Sequence, residues 1–191
     1  MSARLRRLQS DYENLKVEFA GHPYITIEPA EGNPPETYLV TYRVKGYKLD
    51  EKTRNPVIAR HHQVEVYLHA AYPREKPRCQ IKTPIFHPNF RFQVCIGDYW
   101  GAGERLTDII IQIGDMIQYK NYNPKSPLNM EASHWAKENT HLFPADNVDL
   151  WQPDPDIHVR DTPDDGFDIV LKPSNRMSRT PETDDIDIRL L

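Results

Sequence analysis

The most informative part of the sequence lies mid-chain, where residues 81–95 read Ile-Lys-Thr-Pro-Ile-Phe-His-Pro-Asn-Phe-Arg-Phe-Gln-Val-Cys. They belong to a longer stretch, residues 83–105, that contains three glycines and two prolines. This stretch shows neither the alternation of a strand nor the periodicity of a helix. Because so long an irregular segment is uncommon inside a compact domain unless it has a function, we predict that residues 83–105 carry the chemistry of this protein.

The reactive side chains of this stretch are one cysteine and the polar residues around it. A cysteine on an irregular loop is accessible to a substrate, as a nucleophile must be, so Cys95 is the candidate nucleophile. The amide of Asn89 is suited to stabilise an oxyanion, which carbonyl chemistry at a thiolate requires, or to bond the loop together. A buried structural role for Cys95 is the alternative. Cys79 alternates with apolar neighbours in a predicted strand, which indicates a core position.

The flanking sequence predicts an α+β domain. Apolar residues at spacings of three and four predict a helix beginning after Ser2, a residue type favoured as an N-cap. Alternating segments predict four strands, and two later apolar stripes predict helices. The strands are Tyr24–Glu28, Thr37–Lys45, Gln63–Ala70 and Arg78–Lys82, the charged loop is Lys48–Arg60, and the later helices are Leu106–Tyr119 and Asn129–Leu142. This order is typical of an N-terminal helix, a four-stranded antiparallel meander, an irregular active-site segment and C-terminal helices.

Composition excludes several classes of protein. With 191 residues, of which 38% are hydrophobic and 27% charged, the chain has enough apolar side chain for one core. A net charge of −4 argues against nucleic-acid binding, and no apolar window is long enough for a membrane span or a secretory signal. Two cysteines are too few for a disulfide framework and indicate the cytoplasm. His61, His62 and His69 have no further ligand at metal spacing, so we predict no metal site.

The charge is unevenly distributed along the chain. Residues 144–191 carry 12 acidic and 5 basic side chains, a net of −7, which leaves +3 for residues 1–143. We therefore predict a domain at 1–143 and an acidic, proline-containing tail at 144–191. The tail also holds apolar residues, including Leu150 and the run Phe167–Leu171. These predict that its first half packs on the domain or a partner, and that the run adds a short strand.

Several short motifs occur together in one order. Tyr72-Pro73 precedes His87-Pro-Asn89, Cys95 follows, and Asn123-Pro-x-x-Pro-Leu128 comes last. Jointly these motifs resemble the ubiquitin-conjugating enzymes, and the element order resembles that fold over residues 1–143. The family carries ubiquitin or a ubiquitin-like modifier as a thioester on its cysteine and needs no cofactor. It receives the modifier from an activating enzyme and passes it to a substrate lysine, commonly with a ligase assisting.

The resemblance implies a role for each matching residue. Cys95 corresponds to the thioester-forming nucleophile, Asn89 to the oxyanion or loop-stabilising asparagine, and His87 to a mainly structural hydrogen-bonding residue. Ser126 falls where the family places an Asp or Ser beside the active-site mouth. Asp98 lies near the acidic position after the cysteine, one residue later than usual.

The resemblance also implies surfaces for partners. In this family the N-terminal helix docks the activating enzyme, and Arg4, Arg6 and Arg7 crowd its first turns, where the helix dipole disfavours positive charge. We expect these arginines to face solvent, either as a docking surface or as an ordinary solvated face. Arg74 stands where many members have a ligase-contacting phenylalanine.

This sequence departs from the family pattern in three further places. The interval from Asn89 to Cys95 is two residues shorter than usual, the loop Lys48–Arg60 replaces a Pro-Tyr-x-Gly-Gly stretch, and Trp100 follows the cysteine early. These departures fit a divergent branch, such as prokaryotic conjugating-like enzymes encoded beside activating enzymes and deubiquitinase-like peptidases, for which we expect a role in antiviral defence.

Two functional hypotheses remain open. The presence of Cys95 favours an enzyme. The shortened interval before it favours a non-catalytic adaptor that binds a modifier or partner without forming a thioester. A cysteine hydrolase with His87 as its base has no support beyond residue types.

Overall fold

The computed structural model describes residues 2–97 and 100–152 in full, and the backbone alone of residues 157–162 and 166–171. The elements are α1 (Ala3–Glu18), β1 (Ile25–Gly32), β2 (Pro35–Tyr42), β3 (Gly46–Leu49), β4 (Pro56–Ala59), β5 (His62–Tyr67), β6 (Arg78–Ile81), α2 (Leu106–Ile117), α3 (Met130–Glu138), a 3₁₀ turn (Thr140–Leu142), β7 (Ile157–Thr162) and β8 (Gly166–Leu171). The predicted α+β architecture is confirmed.

Helix α1 begins where the sequence predicts. The Ser2 hydroxyl accepts a hydrogen bond of 3.1 Å from the Leu5 backbone N–H, as an N-cap residue does. The predicted apolar stripe turns inward, with Leu8, Leu15 and Phe19 buried in the core. This face packs against the sheet and α2.

The main sheet is antiparallel, with strand order β1-β2-β5-β6. Opposed pairs such as Tyr38 with Val66 and Val40 with Val64 lie on its buried face, because alternate side chains of a strand point the same way. The segment predicted as the loop Lys48–Arg60 is instead a second, two-stranded sheet formed by β3 and β4. That part of the prediction was wrong because strands of four residues are too short to show a clear alternation.

Helix α2 is buried on more sides than an amphipathic surface helix would be. The Tyr42 hydroxyl of β2 donates a hydrogen bond of 3.0 Å to the Ile110 carbonyl. Even the polar residues Thr107 and Gln118 are buried. A later part of the chain covers the helix around Gly114 and Gln118.

The covering segment comprises residues 144–152. Leu150 is only 2% exposed, and it approaches α2 so closely that a Cβ on Gly114 would lie 2.3 Å from its Cδ1 atom. The Val148 N–H donates to the Gln118 side-chain oxygen at 2.9 Å, and Asp146 accepts a bond of 2.8 Å from the Lys45 N–H. Packed chain therefore continues past the boundary predicted at residue 143.

Two strands follow this segment. β7 and β8 pair in antiparallel register from Ile157 opposite Leu171 to Thr162 opposite Gly166. The strand predicted at Phe167–Leu171 corresponds to β8. The remainder of the predicted tail, from residue 172 onward, lies outside the described residues.

Two of the three histidines weighed as metal ligands lie beside backbone carbonyls. The Nε2 atom of buried His62 lies 3.2 Å from the Ala59 carbonyl oxygen, and that of His69 lies 3.0 Å from the Lys76 carbonyl oxygen. Within the described part of the chain, no three His, Cys, Asp or Glu side chains converge on a metal-sized space. None of the helices in that part has the length and apolarity needed to cross a membrane.

Candidate active site

The His-Pro-Asn motif forms a buried turn that joins distant parts of the chain. The His87 Nδ1 atom accepts a hydrogen bond of 3.0 Å from the Asn89 backbone N–H, which closes the turn. The Pro88 carbonyl accepts bonds of 2.8 and 3.0 Å from the backbone N–H groups of Leu128 and Asn129. The turn thereby holds the end of the Asn-Pro-x-x-Pro-Leu loop and the start of α3.

The side-chain amide of Asn89 binds that same loop at both ends. Its Oδ1 atom accepts a bond of 2.7 Å from the Asn123 N–H, and its Nδ2 atom donates to the carbonyls of Asn123 at 3.0 Å and Ser126 at 3.3 Å. The backbone partners fix the amide's orientation, since an N–H only donates and a carbonyl only accepts. Both amide hydrogens are therefore engaged in bonding the loop.

Cys95 is fastened to the same turn through its backbone. Its N–H donates to the Asn89 carbonyl at 2.9 Å, and the preceding Val94 N–H donates to the Cys79 carbonyl at 2.9 Å. Three motifs that are separate in sequence therefore lie together in the fold: the His-Pro-Asn turn, Cys95, and the Asn-Pro-x-x-Pro-Leu loop.

The side chain of Cys95 is partly exposed and lies where two open grooves meet. We call them the loop-side groove, of about 580 Å³, and the strand-side groove, of about 610 Å³. Besides Cys95, the loop-side groove is lined by residues that include Asn89, Gln112, Lys120, Tyr122 and Ser126. Beside the same cysteine, the strand-side groove is lined by residues that include Arg74, Lys76, Arg78, Gln93 and Trp100.

The other cysteine is unsuited to chemistry. Cys79 is 3% exposed, and its burial raises the pKa of its thiol to about 12. Since only the thiolate is nucleophilic, Cys79 is inert at neutral pH, and the predicted core position is confirmed. Because the chain has two cysteines, Cys95 is its one accessible thiol.

His87 is placed as a structural residue. It is fully buried against the rings of Phe90 and Tyr119, both at 4.6 Å between centroids, and it lines neither groove. Burial lowers the pKa of His87 to about 3, so the imidazole is neutral at physiological pH. A base working on Cys95 needs contact with the thiol or a water beside it, and this position provides neither.

Tyr119 supports the site, although the sequence does not predict this role. Its hydroxyl donates a bond of 2.7 Å to the Phe86 carbonyl, directly before the His-Pro-Asn turn, and its ring stacks on Phe143 at 4.3 Å. The backbone of Tyr119 has a φ of 59°, a left-handed conformation rare for a bulky residue. A tyrosine just after a helix carries no sequence signal for such a position.

The chain after Cys95 is held at several points. The Gln112 amide donates to the Ile96 carbonyl at 3.1 Å, Lys76 donates to the Gly97 carbonyl, and the Trp100 indole N–H donates to the Pro73 carbonyl at 2.8 Å. Asp98, a predicted site residue, lies outside the described residues. Ser126 contributes its backbone carbonyl to Asn89 and is exposed at the loop-side groove.

Not all of the predicted partner-binding arginines face solvent. That expectation was wrong for Arg4, which binds the Glu36 carboxylate at 2.9 and 3.1 Å, and for Arg7, which binds the buried Asp11 at 2.8 and 2.9 Å. Arg7 reaches inward to a buried carboxylate, whereas Arg4 lies along the surface and pairs with a carboxylate that is itself part-exposed. Arg6 and Arg74 are exposed.

Comparison with known proteins agrees with this geometry. The family model of ubiquitin-conjugating enzymes matches residues 55–150, which include all three motifs that meet at Cys95. The chain belongs to this family. The match ends at Leu150, the residue that packs on α2, so family-like chain extends into the segment predicted as tail.

A solved structure shares the fold of this family member. It is a crystal structure from Plasmodium yoelii of a protein assigned as a ubiquitin conjugating enzyme. The similarity has a TM-score of 0.54 at 20% sequence identity and covers 76% of this chain and 90% of that one.

Proposed function

We propose that this chain is an active conjugating enzyme that accepts a ubiquitin-like modifier as a thioester on Cys95 and passes it to a lysine amine. The observation that carries the proposal is the position of Cys95. It is the one accessible thiol of the chain, and it lies where two grooves meet and three family motifs converge.

The proposed reaction is two successive acyl transfers. The Cys95 thiolate attacks the thioester carbonyl that joins the modifier to the activating enzyme, and the activating enzyme's cysteine leaves as a thiolate. A lysine amine then attacks the new thioester, loses a proton to solvent, and displaces the Cys95 thiolate. The first step needs room for the modifier's chain end and the second needs room for the lysine, and two grooves at one sulfur atom suit both needs.

The surrounding residues act by holding this geometry. Asn89 binds the loop that forms the wall of the loop-side groove, and His87 closes the turn that presents Asn89. We assign both as positioning residues. Ser126 and Asp98 remain proposed contributors at the active-site mouth, on the basis of the resemblance alone.

Partner contacts follow from the same family membership. An activating enzyme, a ubiquitin-like modifier and a protein substrate are the proposed partners, with a ligase as an assisting one. Arg6 on α1 and Arg74 beside the strand-side groove are the exposed predicted contact residues. The proposed cytoplasmic location rests on the low cysteine count, and the proposed role in bacterial defence rests on the sequence resemblance.

The decisive experiment is a charging assay. The full chain is incubated with an activating enzyme, its modifier and ATP, and a reductant-sensitive adduct is sought by non-reducing electrophoresis. Cys95→Ser should abolish that adduct or trap a reductant-resistant ester, whereas Cys79→Ser should charge normally. Full charging of Cys95→Ser would sink the proposal. Binding of the modifier without any adduct in the wild type would favour the adaptor.

A further inference from the structure

Helix α1 is tied to the chain after Cys95 by a buried charged network. The Arg7 Nε atom donates to both oxygens of Asp11, and the Tyr72 hydroxyl donates to the same carboxylate at 2.6 Å. The Tyr72 hydroxyl in turn accepts a bond of 3.0 Å from the Arg7 guanidinium. Asp11 is 4% exposed, so this network lies within the core side of α1.

The remaining donors of Arg7 reach the segment that leads from the nucleophile into α2. They bind the backbone carbonyls of Ala102 and Glu104. On the same side, the Tyr72 and Trp100 rings lie 5.9 Å apart between centroids. A guanidinium is suited to this task because its five N–H groups form a rigid planar fork, whereas a lysine ammonium is a single point of charge.

This arrangement is costly as a means of stability alone. Burial raises the pKa of Asp11, against the opposing effects of the Tyr72 hydrogen bond and the Arg7 charge. Replacing a buried ion pair by well-packed apolar residues is often neutral or stabilising. A network that is expensive to bury and that ends on two carbonyls of an irregular segment suggests that the position of the segment matters.

Arg4 provides a natural comparison on the same helix. Arg4 also forms a bidentate salt bridge, with the carboxylate of Glu36, and donates a hydrogen bond to the Leu68 carbonyl. These contacts fasten α1 to the sheet. The described contacts of Arg4 do not include the segment after Cys95.

We propose that Arg7 is a positioning residue for Cys95, holding the backbone of residues 100–104 against α1 and so fixing the chain that leads away from the nucleophile. A partner that moved α1 would then alter the reactivity of the thiol. Any effect of Arg7 on charging with a modifier rests on the proposed function, whereas its effect on the reactivity of the Cys95 thiol does not.

The test measures the alkylation rate of Cys95 by iodoacetamide between pH 6 and 10, read by peptide mass spectrometry on the full chain. In Arg7→Ala the rate should rise about tenfold, because segment opening becomes easier without its charge-assisted hydrogen bonds. Arg7→Lys should lie between this variant and the wild type. Arg4→Ala, the matched control, should stay within about twofold of the wild type, since it frees α1 from the sheet alone.

Amide hydrogen exchange supplies a second readout. Residues 100–104 should exchange faster in both Arg7 variants than in Arg4→Ala. If Arg7→Ala does not fold, Arg7→Lys and Tyr72→Phe carry the test. The proposal would be overturned if the folded Arg7 variants showed the same alkylation and exchange rates as the wild type. It would also be overturned if Arg4→Ala changed these rates as much as the Arg7 variants do. If the alkylation rate changes only in the Arg7 variants and the wild type is never charged with a modifier, the proposed function is refuted and this inference is supported.

Discussion

Replacing Asn89 by alanine separates two roles of the same amide. An oxyanion role predicts a selective loss in the transfer step, about 10²–10³-fold for one lost donor, with charging less affected. The structure favours the other role, because both amide hydrogens already bond to the loop carbonyls of Asn123 and Ser126. We therefore expect Asn89→Ala to slow charging and transfer to a similar extent and to lower stability.

The size of the stability loss follows from the bonds removed. Three hydrogen bonds at a residue only 4% exposed are lost. At about 0.5–1.5 kcal/mol for each, the free energy of unfolding should fall by about 1.5–4.5 kcal/mol. Asn123→Ala is the matched control, because Asn123 binds Asn89 through its backbone, which the substitution leaves in place.

The assays are urea unfolding and single-turnover kinetics, with charging and discharge to free lysine measured separately. Measurements are made below the unfolding transition of each variant, so that only folded enzyme reacts. A transfer rate reduced 10²-fold or more with normal charging and near-normal stability would refute this reasoning and restore the oxyanion role of Asn89.

Three further predictions test the packing, the buried histidines and the docking helix. Leu150→Ala should lower the free energy of unfolding in urea by about 2–5 kcal/mol. Substitution of its exposed neighbour, Trp151→Ala, should lower it by about 0.5 kcal/mol or less. Equal decreases in the two variants would show that the segment around Leu150 does not pack on α2. Burial lowers the pKa of His62 to about 4 and of His87 to about 3. Below about pH 6.5 the unfolded chain therefore binds more protons than the folded chain, and each histidine should lower the free energy of unfolding by up to about 1.4 kcal/mol per pH unit as the pH falls. A free energy of unfolding in urea that stays constant from pH 7 to pH 5 would contradict this. Arg6→Glu should slow the charging of the protein with its modifier at low salt, and the difference from the wild type should shrink as the salt concentration rises. A charging rate equal to that of the wild type at every salt concentration would indicate that Arg6 lies on an ordinary solvated face of α1.

Much of the fold was predictable because its patterns are local. The strands β2 and β5 alternate, and α1 combines an N-cap serine with an apolar stripe. The hairpin of β3 and β4 was missed because each strand has only four residues. The burial of Gln118 was missed because its cause is the segment around Leu150, which lies far along the chain.

The candidate site divides in the same way. The sequence alone determined the family and pointed to Cys95 as the candidate nucleophile, because each motif is a contiguous run of residues and one of the two cysteines lies outside a regular strand. Only the tertiary structure decided that the Asn89 amide bonds a loop 34 residues away, and that Arg7 turns inward to a carbonyl 95 residues away. The physical reason is that residue type sets which hydrogen bonds a side chain is able to form, whereas the partner it meets depends on how distant parts of the chain pack together.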